Sequence, residues 1–95
     1  MKTYLIQREL PGAVKLTLTD KKAIAQRSCE VIDSLGHENI EWLHSYITQD
    51  NLWCIYKGVN EAILREHARL GQFPCDNILE IAGTFSPATA KAELV

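Results

Sequence analysis

The sequence predicts an α+β fold of the ferredoxin-like type, with elements in the order strand, helix, strand, strand, helix, strand. Three observations predict it. Four stretches rich in β-branched and aromatic residues, at 3–9, 40–48, 52–57 and 77–85, alternate in side-chain character as strands do. Two stretches, 18–35 and 61–71, carry apolar residues at helical spacing between start and stop signals. The turn formers Thr48-Gln49-Asp50-Asn51 join the second and third strands directly, as a hairpin. Such an order folds into a four-stranded antiparallel sheet with both helices on one face.

The first strand puts Tyr4, Ile6 and Arg8 on one face and Leu5 and Gln7 on the other. An arginine on an inner strand needs a partner. Leu10-Pro11-Gly12-Ala13 turns the chain out of the sheet. Thr17 followed by Asp20 is a variant capping box, so the first helix runs from Leu18 to Leu35, where Gly36 ends it. Its apolar stripe is Ile24, Val31, Ile32 and Leu35. Ser28 falls in the middle of that stripe, where a small hydroxyl permits close packing or leaves room for a ligand.

The second strand places Trp42, His44 and Tyr46 on one face; the third sets Leu52, Cys54 and Tyr56 against Trp53, Ile55 and Lys57. Loop length decides how they meet. A four-residue loop pairs Ile47 with Leu52 and gives His44 the company of Trp53 and Ile55. A three-residue loop with Asn51 left-handed pairs Thr48 with Leu52 and sets His44 beside Cys54 and Tyr56. Asn tolerates either conformation.

Asn60 caps the second helix, whose apolar stripe is Ile63, Leu64, Ala68 and Leu70. His67 lies within that stripe and Glu66 on its edge. A histidine facing the sheet is a core residue bonded to one partner or a site residue. The fourth strand has Leu79, Ile81 and Phe85 on one face. Residues 1–86 thus form the ferredoxin-like domain and 87–95 a tail, with Ser86-Pro87 as a helix-start signal; the tail frays or crosses to a partner subunit.

Composition narrows the function classes. A formal charge of −2, with Lys and Arg scattered, argues against nucleic acid, which demands a basic stripe. No run reaches membrane-span length, and MKTYLIQRE lacks a signal-peptide core. Three widely spaced cysteines without a Cys-x-x-Cys pair suit a reducing cytoplasm, the expected location. With helices on one sheet face, the other is left with large apolar residues, and a second copy across a two-fold axis is the simplest cover. A homodimer is therefore expected.

The segments Arg8–Ala13 (RELPGA), Trp42–Tyr46 (WLHSY), Trp53–Tyr56 (WCIY) and Arg65–Pro74 (REHARLGQFP) resemble a family of small bacterial ferredoxin-like proteins. One member of that family has been described as a dimeric nickel-binding protein. The resemblance extends to about Ala90 and implies a homodimer that binds nickel or another divalent transition metal. Its motifs do not identify the ligands. Imidazole and carboxylate suit such ions, which makes His44, His67 and Glu66 the candidate metal ligands. Set against this, the sequence contains no His-Glu-x-x-His, paired cysteines or i,i+4 histidine pair.

The alternative is a small-molecule pocket or an enzyme of the dimeric ferredoxin-like type, monooxygenase-like or isomerase-like, by analogy of fold. Trp42, Tyr46, Cys54 and Tyr56 are its candidate ligand-binding or cofactor-binding residues. His67 would be a general base, Tyr46 or Tyr56 a donor, Cys54 a nucleophile, and Trp42 and Trp53 the walls. A structural interaction module is the third reading, because a sticky sheet face explains the aromatic residues without chemistry.

Overall fold

The structure is a computed structural model describing residues 1–94. Its elements are β1 (Lys2–Glu9), a 3-10 turn (Ala13–Lys15), α1 (Leu18–Leu35), β2 (Ile40–Ile47), β3 (Asn51–Gly58), α2 (Glu61–Gly71), β4 (Asn77–Ile81) and a closing 3-10 turn (Pro87–Lys91). The strands pair antiparallel in the order β2-β3-β1-β4, the ferredoxin-like arrangement.

Strand β1 is the axis of the sheet. Ile6 faces Cys54 on β3 and Ile78 on β4, so the alternation of β1 dictates which faces of its neighbours turn inward. Tyr4, Ile6, Cys54, Tyr56 and Ile40 from the sheet pack with Ile32 of α1 and Leu64 of α2 into the core. Each such side chain contributes about 1.5–3 kcal/mol by leaving water.

Helix α1 begins where its signal stands. Thr17 Oγ1 accepts from the Asp20 amide at 3.1 Å, and the Asp20 carboxylate accepts from the Thr17 amide at 2.9 Å. The Thr17 amide, with the Thr17 hydroxyl, holds the Asp20 carboxyl below the usual carboxylate range. In α2 the Asn60 side chain caps the Ile63 amide, and Leu64, His67, Ala68 and Gly71 form the buried stripe. Leu70, expected on that stripe, is partly exposed because the buried set is Leu64 plus three, four and seven. The left-handed residue ending α2 is Gln72, not Gly71. Gly71 serves a close approach instead: a Cβ there would run into the Phe73 ring.

Strand β4 stops at Ile81, short of the expected Phe85. Ile81 pairs with Thr3, and β1 begins one residue before that, so a longer strand would have no partner.

The hairpin takes the four-residue loop. Ile47 pairs with Leu52, Tyr46 with Trp53 and His44 with Ile55, and Asn51 is not left-handed. The loop is tied to the exit of β1: the Leu10 amide donates to the Asp50 carbonyl and the Gly12 amide to its carboxylate. One expectation fails here. A bulge between Trp42 and His44 breaks the alternation of β2, so Trp42 pairs with Tyr56 on the inner face while His44 and Tyr46 turn outward.

No helix among the described residues is long and apolar enough to cross a membrane.

A cavity between the sheet and the first helix

Ala25 and Ser28 are the small side chains that α1 offers to the sheet, and they leave a cavity of about 240 Å³. Its walls are Ile24, Ala25 and Ser28 of α1, Trp42, Ser45 and Ile47 of β2, Leu52, Cys54 and Tyr56 of β3, and Arg8 of β1. Leu16, Lys21 and Phe73 complete it. Trp42 is fixed as a wall by its indole N–H, which donates to Ser45 Oγ at 3.0 Å.

A chain of polar groups crosses the inner end. Ser28 Oγ lies 3.0 Å from the Tyr56 hydroxyl and 3.0 Å from His67 Nε2, joining α1, β3 and α2. His67 is completely buried, with its ring stacked on Phe73 at 5.3 Å between centroids. Burial, with help from the nearby Arg8 cation, lowers the imidazole from 6.5 to about 4, so it is neutral at physiological pH. Its Nδ1 is buried without a hydrogen-bond partner. Burial likewise pushes the Tyr56 phenol up, against the opposing effects of Ser28 and Arg8, and it keeps its proton.

Arg8 is the partner-seeking arginine of β1. Its Nη1 donates to the Pro74 carbonyl at 2.6 Å, and its guanidinium lies 5.7 Å from the Tyr56 ring centre and 5.2 Å from that of Phe73. Nη2 is buried and unpartnered. The Arg27 guanidinium also stacks on the Phe73 ring, 4.6 Å from its centre.

The sequence-derived candidates divide between the two sides of the sheet. Trp42, Cys54 and Tyr56 line the cavity, whereas Tyr46 stands on the outer face with His44, their rings edge to face at 5.1 Å. His67 is not a wall; it stands behind Ser28 and Tyr56, so it and Cys54 do not line one enclosed space. Glu66 is engaged by Arg69 on the surface of α2, which holds its carboxyl below the ordinary range. Arg8, Ser28, Lys21 and Phe73 were not among the candidate site residues. The signal for Arg8 was present, in its alternation with Tyr4 and Ile6.

Residues 4–81 match the family described as nickel responsive protein SCO4226-like. The chain belongs to this family. A solved structure, SCO4226 from Streptomyces coelicolor A3(2), superposes with a TM-score of 0.73 at 13% identity, over 87% of this chain and 99% of that one. At that identity the likeness speaks for the fold. No curated protein matches.

The donors of this chain, as folded, do not fit a divalent metal. Among the described residues no three His, Cys, Asp or Glu side chains gather closely enough to hold one. His44, His67 and Glu66 point in three directions, and the cavity presents the cations Arg8 and Lys21, which repel another cation.

Proposed function

We propose that the protein binds a small, largely apolar organic molecule in the cavity between the sheet and α1. The observation that carries this reading is the cavity itself: apolar walls with a few convergent polar groups, Arg8, Ser28 and Tyr56, at the inner end. An engineered apolar cavity of about 150 Å³ takes benzene, so about 240 Å³ accommodates a ring with a short chain. Titration of isotope-labelled protein with 3-phenylpropionate and with 3-phenylpropanamide tests it. Amide shifts centred on Ser28, Trp42 and Cys54 are expected, abolished by Ala25→Leu, which fills the space. Absence of shifts with both compounds rejects the pocket.

The words nickel responsive in the family description suggest a second reading, binding of a divalent metal, nickel first, to which the uncovered sheet face adds a homodimer. The exposed outer face, with His44, Tyr46 and Leu79, is the surface a second copy would cover, and His44 is the histidine two copies could present together. A sedimentation mass near twice 10.7 kDa is expected. Calorimetry with nickel, zinc and copper is expected to find binding lost in His44→Ala and retained in His67→Ala and Glu66→Gln. No binding above background removes the metal reading, and loss in His67→Ala or Glu66→Gln moves the site to those residues.

A further inference from the structure

We infer that the ligand of this cavity is an organic monocarboxylate, its carboxylate held by Arg8 and Tyr56 and its apolar body lying between Ile24, Trp42 and Leu52. The inference rests on the pocket reading above and adds the charge of the ligand.

Arg8 is 2% exposed, and no ion pair among the described residues includes it. A guanidinium taken from water without a counter-charge costs several kcal/mol. Its two aromatic neighbours return about 0.5–2 kcal/mol each, and the Pro74 carbonyl satisfies one nitrogen. Nη2 stays unsatisfied. The walls contain a second cation, Lys21, and no Asp or Glu. A space lined by two cations and no acid is built for an anion.

Carboxylate is the anion that fits. It matches the planar fork of a guanidinium, and a single charge on an apolar body suits walls that are otherwise hydrocarbon and indole. A phosphate would bring more charge into a space with too few donors to replace its water. Tyr56 supplies a further donor when the hydrogen-bond chain runs from His67 Nε2–H to Ser28 and from the Ser28 hydroxyl to the Tyr56 oxygen. That direction leaves an acceptor at His67 Nδ1, rather than a donor, without a partner, and it frees the phenolic hydrogen for the ligand.

Calorimetry at pH 7 on the full chain tests the inference with 3-phenylpropionate, 3-phenylpropanamide and phenyl phosphate. The acid is expected to bind at least about tenfold more tightly than the amide, a difference of about 1.4 kcal/mol, and more tightly than the phosphate. In Arg8→Gln the preference for acid over amide should fall to within about twofold, whereas Lys21→Gln should change it less than about threefold. Tyr56→Phe, a second variant that needs no change of buried charge, should lower the preference about threefold or more. Equal binding of acid and amide to the wild type overturns the carboxylate and leaves the pocket standing. No binding of any compound overturns both, and tighter binding of phenyl phosphate assigns the site to phosphate. Preference retained in Arg8→Gln or in Tyr56→Phe removes that residue from the site.

Discussion

The two faces of one sheet carry similar residue types to opposite ends. The inner face sets Tyr4, Ile6, Cys54 and Tyr56 against both helices, and the charged side chain buried beside them, Arg8, is 2% exposed. The outer face carries Leu43, His44, Tyr46 and Leu79, with Tyr46 60% and Leu79 59% exposed. Each face has a tyrosine close to a histidine, but only the inner pair is locked by a shared serine. Residue type alone therefore does not mark a site. Convergence and exclusion of water do, because hydrogen bonds and charges gain strength only where water cannot compete.

The contrast is broken most forcefully by truncation. Leu64→Ala, under the inner face, is expected to cost about 3 kcal/mol in denaturant unfolding. Leu79→Ala on the outer face should cost less than about 0.5 kcal/mol in a monomer. A comparable loss for Leu79→Ala, diminishing on dilution, would mean that a second copy buries the outer face.

The buried histidine sharpens the contrast through pH. A buried imidazole lowered from 6.5 to about 4 takes its proton first in the unfolded chain, so acid favours unfolding. Its contribution is intact above about pH 6.5 and is lost as pH falls toward 4, by up to about 3 kcal/mol. Stability measured across that window should flatten in His67→Gln. An unchanged slope in His67→Gln would show that His67 is not the group responsible.

Smaller effects are expected from the cap and from the buried charge. Thr17→Ala removes one half of the α1 capping box and should cost about 1 kcal/mol. Arg8→Met without ligand should alter stability by less than about 1 kcal/mol, because the cation lost has no ion-pair partner. A loss of 3 kcal/mol or more in Arg8→Met would make Arg8 a structural element of the inner face in its own right.

The bounds of α1 were legible because the capping box and Gly36 are local chemistry, carried by residues within a few positions of each helix end. The site was legible only in part. Ser28 and His67 stood out as polar residues on apolar stripes, yet nothing along the chain stated that they meet each other across 39 positions. Trp42 and Tyr46 were expected on one face by alternation, and a single bulge at Leu43 parted them.

The sequence by itself determined the order of elements, the helix limits and the shared face of Tyr4, Ile6 and Arg8, since period and capping are properties of consecutive residues. Tertiary structure alone decided the hairpin. Both loop lengths were compatible with Thr48 to Asn51, and the choice goes with β1, whose pairing of Ile6 with Cys54 and Tyr4 with Tyr56 commits one face of β3 to the core. That commitment put Tyr56 beside Ser28 and Arg8 inside and left His44 outside. A partner strand far along the chain fixes such a register, because the energy that selects it is burial against the helices, which no local window contains.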